Sequence, residues 1–219
     1  MYTAKDQAID TFYNIFMVPS NILSNPIIAG IDEAGRGCLA GPVMACACIL
    51  PTSGAVPEMI QDSKALSPAD REKAMFWIAQ HCTYAVGLAD AQTIDRIGIL
   101  SATETAMQQA VATLSQQRKP TYLLVDGRDK FWFDIPHSSV IHGDVLERCI
   151  AAASIVAKVT RDRMMQEAHR GFPLYHFDAH KGYGTPEHFA ALAKHGPCAI
   201  HRKTFLENMR SPRISARRT

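Results

Sequence analysis

The chain has 219 residues, 47% hydrophobic and 20% charged, with a formal net charge of +2. Those figures suit one soluble globular domain with a real core and exclude a disordered or collagen-like chain. Six cysteines occur with no C-x-x-C pair, which excludes the usual zinc spacing and fits buried thiols in a reducing cytoplasm better than a disulfide scaffold.

The N-terminal 26 residues lack a basic start followed by an apolar core, so they do not read as a signal peptide, and they receive no role. Residues 27–31 form a short apolar run that predicts a strand, and 43–50 a second. At Ser67-Pro68-x-Asp70 the pattern supplies a cap, a first-turn proline and a first-turn acid. A helix follows, with Ala74, Ile78 and Trp77 as its buried stripe. Residues 84–90 read as a third strand, and apolar spacing from Ile94 to Leu114 predicts a mostly helical 92–117. Strands at 122–125 and 139–141 follow, then a long alanine-rich helix in "LERCIAAASIVAKVTRDRMMQEAHR". "HKGYGT" is a glycine-rich turn, and 186–195 a further helix. Strands first, then strands alternating with helices, indicate an α/β fold with a mixed sheet. No stretch is apolar for long enough to span a bilayer. Residues 202–219 carry six Lys/Arg against one acid, Glu207, a basic end that could meet a polyanion or simply lie solvated as a flexible tail.

Three apolar runs end alike: "IIAGIDE", "YLLVDG" and "SVIHGD". If the strands run parallel, Asp32, Asp126 and Asp144 converge on one sheet edge, with Glu33 beside them. Acids also cap strands and open turns, so any one of them alone carries little. Together they repel one another and call for a cation; an all-oxygen set without His or Cys spacing suits Mg²⁺ or Mn²⁺. Two such ions roughly 4 Å apart can activate water and stabilise a leaving oxygen in phosphodiester cleavage. Adjacent strand residues face opposite ways, so the chain must bend at Asp32–Glu33 or Glu33 must reach round from the strand end; Gly35 and Gly37 follow directly.

"GIDEAGRGCLAGPV", "DSKALS", "IDRIGILSATETAM", "LLVDG", "HGD", "AAASIVAKVTRDRMM" and "HKGYGT", in this order, resemble the ribonuclease HII family over residues 27–205. The resemblance implies a ribonuclease H-like fold: a five-stranded mixed sheet flanked by helices, with a helical C-terminal region. The basic tail over 206–219 is read from its charge and not from the resemblance. The resemblance further implies a metal-dependent endonuclease, with two Mg²⁺ or Mn²⁺ ions, acting on RNA–DNA hybrids and on single ribonucleotides in duplex DNA. Products would carry 3′-hydroxyl and 5′-phosphate ends. Asp32, Glu33, Asp126 and Asp144 match the metal-holding acids. Gly35, Arg36 and Gly37 match the loop that recognises the ribose 2′-hydroxyl, the group that distinguishes RNA from DNA at one nucleotide. Tyr183 matches the tyrosine that packs on the neighbouring deoxyribose. Ser63, Lys64, His180 and Lys181 are further substrate-binding candidates: Ser63 and Lys64 could touch the nucleic-acid backbone or be turn residues, and His180 could donate to phosphate or order its loop, as could His201 and Arg202. Lys158, Arg161 and Arg163 read as a solvated helical face, some of which could meet phosphate. Three residues depart from the family pattern: Cys38 stands where proline is common, Ala65 where a second lysine is, and Leu146 where a lysine often is. A cytoplasmic monomer is expected. The sister family, ribonuclease HIII, differs in an added N-terminal domain and a lysine in the glycine loop. A binding module without chemistry, or an enzyme of small phosphorylated molecules, accounts less well for four acids beside a phosphate.

Overall fold

Five strands pair in the order β3-β2-β1-β4-β5 in a computed structural model that describes residues 26–60 and 66–210. They are β1 (Ile28–Ala34), β2 (Val43–Ile49), β3 (Thr83–Ala89), β4 (Tyr122–Asp126) and β5 (His137–Val140). β1 pairs antiparallel with β2 and parallel with β4, and β5 continues the parallel side. The sheet is therefore mixed, with the three acid-tipped runs on neighbouring, co-directional strands. Ser63, Lys64 and Ala65 lie outside the described residues, as do residues 1–25 and 211–219.

The helices are α1 (Pro68–His81), α2 (Ala91–Ile97), α3 (Ile99–Gln117), α4 (Gly143–Leu146), α5 (Arg148–Gly171), α6 (Phe177–His180), α7 (Pro186–His195) and α8 (Lys203–Arg210). α1 begins as its sequence predicts: Ser67 accepts from the Asp70 N–H at 3.1 Å, with Pro68 at the first position. Its buried residues are Ala74, Met75 and Ile78, with Trp77 only partly covered. The predicted 92–117 helix is two helices. Gly98, at φ +81°, donates its N–H to Ile94 O and ends α2, a backbone angle that side-chain-bearing residues rarely adopt. Likewise the long fifth helix is preceded by a separate turn, α4. α8 straddles the 205/206 boundary expected for a tail.

Every residue of β2 is buried, and its alternation feeds two cores. Val43, Ala45, Ala47 and Ile49 join Ala29, Ile31, Leu123 and Val125 under α2 and α3. Met44, Cys46 and Cys48 face the other way, against α1 and the alanine face of α5. Alanines let α5 come close, and Gly30 sets how close: a Cβ there would lie 2.1 Å from the Cys149 carbonyl carbon. All six cysteines are free thiols.

Candidate active site

The β1–β4 pairing stops at Ile31–Val125, while β1 stays paired with β2 through Ala34. No bend occurs at Asp32–Glu33. Instead the sheet opens on the β4 side, and the two acids occupy the mouth of that opening with their side chains on opposite faces. Asp32 shares the face of Gly30 and of its pairing partner Cys46, beneath α5. Asp126 ends β4 on this same face, following Tyr122 and Leu124.

Asp32 is 6% exposed, and Oδ1 accepts the Glu33 N–H at 2.7 Å. Burial drives its carboxyl well above the ordinary range. Repulsion from Glu33 and Asp126 adds to this, against a lowering hydrogen bond from the Ser154 side chain. Glu33 is also raised, by burial, with Arg36 opposing. The Arg36 guanidinium bridges Glu33 Oε1 at 3.1 Å and Asp129 Oδ2 at 2.8 Å. Asp126 Oδ1 accepts the Gly143 N–H at 2.8 Å, which ties β4 to the first turn of α4. Next in that turn is Asp144, 1% exposed. It sits on a helical turn beyond β5, not at the strand's tip. Gly143 has no room for a side chain: a Cβ would meet Ile150 Cδ1 at 2.5 Å and Asp126 Oδ1 at 3.2 Å.

The structure thus brings Asp32, Glu33 and Asp126 within electrostatic reach of one another and couples Asp144 to Asp126 through Gly143. Among the described residues, no three His, Cys, Asp or Glu side chains stand ready-arranged as a metal cage. The donor set fits Mg²⁺ or Mn²⁺ in kind, being all carboxylate oxygen. The raised Asp32 and Glu33 carboxyls are what anions show when buried together, and what a cation would relieve.

Gly35, at φ +93°, opens the glycine loop, and Gly37 is its exposed tip. Across from it, the Leu39 N–H donates to Gly182 O at 2.8 Å, so the 35–42 and 181–185 loops are bonded directly. Tyr183 is 41% exposed, with Lys158 Nζ 5.4 Å and Arg161 Cζ 5.9 Å from its ring centroid. The Cys38 thiol hydrogen-bonds to the Tyr183 side chain, a contact a proline could not make.

His180 is buried, and both its ring nitrogens are engaged inside the loop. Nε2 donates to Tyr175 O at 2.7 Å, and Nδ1 accepts the Gly182 N–H at 3.1 Å. As placed, with both ring nitrogens engaged, it orders the turn, which is the second of the two roles open to it. Lys181 Nζ bonds to Asp178 O at the loop's edge. Arg161 corrects the solvated-face reading most strongly: it is fully buried, on the stripe Ser154, Ala157, Arg161 and Met165. That i, i+3, i+7, i+11 spacing was the available signal. Arg202, also fully buried, and Asp129 carried no comparable mark.

The family model described as Ribonuclease HII matches residues 29–208. The chain belongs to the ribonuclease HII family. It is 54% identical over 179 residues to the Ribonuclease HII of Geotalea uraniireducens (strain Rf4), covering 81% of this chain and 82% of the relative. Among solved structures, the ribonuclease HII in the PCNA:RNase HII complex from Archaeoglobus fulgidus is similar at TM-score 0.68. It has 24% identity, with 80% of this chain and 93% of that one covered. Bst-RNase HIII in complex with Mn²⁺ is similar at TM-score 0.59 and 16% identity, over 80% of this chain and 71% of that one. The ribonuclease H-like fold expected of the sequence is the fold observed. By its family, the chain is an endoribonuclease, a phosphodiester hydrolase. Among the described residues, no helix is long and apolar enough to cross a membrane.

Proposed function

We propose that this enzyme hydrolyses the RNA strand of RNA–DNA hybrids and cuts at single ribonucleotides within duplex DNA, in the cytoplasm and as a monomer. Its products carry 3′-hydroxyl and 5′-phosphate ends. The single observation that carries the reading is the opening between β1 and β4, where Asp32, Glu33 and Asp126 meet beside the α4 turn that bears Asp144.

Asp32, Asp126, Glu33 and Asp144 would hold two divalent cations, Mg²⁺ or Mn²⁺. When bound, these supply charge neutralisation and activation of water for phosphodiester hydrolysis. The protein's own residues do the rest. Gly143 holds the Asp126 carboxylate in place, and Ser154 orients that of Asp32. Arg36 must yield Glu33 for that carboxylate to serve as a ligand, and Asp129 is positioned to retain the guanidinium when it does. The Gly35-Arg36-Gly37 loop meets the ribose, and the exposed Tyr183 ring packs on the next sugar. Lys181, at the edge of the Tyr183 loop, would meet a phosphate by releasing Asp178 O, and Ser63 and Lys64 would touch the nucleic-acid backbone.

The test is a labelled DNA duplex with one embedded ribonucleotide, beside an all-DNA duplex and a hybrid, each with and without divalent metal. Cutting at the ribonucleotide, dependent on metal, is expected. Cutting of the all-DNA duplex at equal rate would reject the reading.

A further inference from the structure

Two guanidiniums without solvent exposure lie beneath the glycine loop, and their hydrogen bonds go to backbone carbonyls. Arg202 donates from Nη2 to Gly35 O at 2.8 Å, from Nη1 to Arg36 O at 2.8 Å and from Nε to Gly41 O at 3.0 Å. Arg161 donates to Pro42 O, Ala40 O and Lys181 O at 2.9, 3.1 and 2.9 Å. Arg161 therefore locks the two loops together, while Arg202 grips the segment that carries Arg36.

A planar trans peptide points its C=O and its N–H in opposite directions. The carbonyls of Gly35 and Arg36 are turned inward, onto Arg202. In those same two peptide units, the N–H groups of Arg36 and Gly37 are consequently turned outward, at the exposed tip of the loop. Neither N–H has an acceptor among the described residues. Arg202 itself is fixed from behind. Its own N–H donates to Leu39 O at 2.8 Å, and Asp95 caps the start of α8 by accepting from Lys203 N, Thr204 N and Thr204 Oγ1. The Phe205 ring lies 5.1 Å from the guanidinium carbon.

We propose that Arg202 is a positioning residue for ribose recognition: by holding the Gly35 and Arg36 carbonyls inward, it presents the Arg36 and Gly37 N–H groups as a paired donor site for the 2′-hydroxyl of one ribonucleotide. This rests on the reading of the glycine loop given above. The task suits arginine, whose planar fork reaches several fixed acceptors at once. A lysine keeps the charge but not the fork. The device explains why a strongly basic residue is spent entirely on neutral carbonyls and lies out of contact with solvent.

The experiment compares binding of two duplexes that differ only by ribose or deoxyribose at one nucleotide, in chelator so that nothing is cut, for the wild-type protein and Arg202→Lys. The wild-type protein should favour the ribose duplex. In Arg202→Lys that preference should fall about tenfold, with affinity for the all-DNA duplex within twofold. A merely structural defect would weaken both duplexes alike. Equal preference in the two proteins would overturn the role of Arg202. No preference in the wild-type protein would instead overturn the reading of the loop, and the inference with it. If Arg202→Lys does not fold, backbone amide NMR of the wild-type protein decides: the Arg36 and Gly37 signals should shift with the ribose duplex and not with its deoxy twin. Unmoved signals alongside a measured ribose preference would refute the proposal.

Discussion

The two ends of this site solve opposite electrostatic problems. At the β1–β4 opening, anions are buried together: Asp32 has two carboxylate neighbours raising its pKa and, among the described residues, no basic side chain in an ion pair with it. Under the glycine loop, cations are buried, yet six carbonyls meet the six hydrogen bonds of Arg161 and Arg202. Burial of a charge is costly unless it is matched, and an unmatched group neutralises or awaits a partner. The arginine clamp is complete within the protein and so gives the loop a fixed shape. The acid cluster is incomplete by itself, and in the function proposed above a divalent cation would supply what is missing.

The largest expected effect separates the two regions by kind. Asp126→Asn keeps the hydrogen bond to Gly143 N–H but removes a charge, so the fold should survive while kcat falls by roughly a thousandfold or more, read as initial cleavage rates. Full activity in that variant would break the acid half of the comparison. Arg161→Met should act on stability instead, since one buried and two part-buried carbonyls lose their donor. A loss of about 3 kcal/mol or more is expected from urea unfolding. A variant as stable as wild type would show that the clamp contributes nothing. Tyr183→Ala is smaller and substrate-dependent: cleavage at a single ribonucleotide should drop about tenfold more than cleavage within a long hybrid, from the loss of one stacking partner. Equal losses would remove Tyr183 from junction reading.

The effect confined to acid pH concerns the histidines under the second loop. His188 Nδ1 donates to Tyr183 O at 2.8 Å, and its Nε2 accepts from His201 Nε2–H at 3.0 Å. His201 Nδ1 in turn accepts the Cys198 N–H at 2.9 Å. The last two bonds, in which a ring nitrogen accepts, require neutral rings, and burial pushes His201 down to about 4. As pH falls from about 6.5 toward 4, the unfolded chain takes up the proton before the folded one does. This contribution to stability is therefore complete above about 6.5 and is lost through that window, on the order of 3 kcal/mol. His201→Gln, which retains the Nε2 donor, should flatten the profile of unfolding free energy against pH. An unchanged profile would assign the acid sensitivity elsewhere.

Much of this architecture was legible because its signals are local. The Ser67 cap with Pro68, the β4-terminal Asp126 and the 186–195 helix each announce themselves within a few residues, and the structure places all three there. The clamp was not legible in the same way. Arg161 was marked only by its place on the stripe from Ser154 to Met165, and for Arg202 nothing local decided between phosphate and loop, because the 35–42 carbonyls that both hold leave no mark in a sequence. Of the two arrangements open at Asp32–Glu33, a bend or a Glu33 that reaches round, the bend is absent for a tertiary reason. The strand could stay straight because its neighbour β4 ended first.

The central claim is that the strand-end carboxylates are held in mutual repulsion for a divalent cation to relieve. It is tested most directly by thermal unfolding at neutral pH, with and without Mn²⁺, in the wild-type protein and in Asp32→Asn. Because the folded pKa of Asp32 is raised, its ionisation costs the metal-free fold stability as pH climbs through that value. The metal-free variant should therefore melt several degrees above the metal-free wild type, and Mn²⁺ should raise the wild type far more than the variant. An Asp32→Asn protein that melts lower without metal, or a wild type that Mn²⁺ leaves unmoved, would contradict the account.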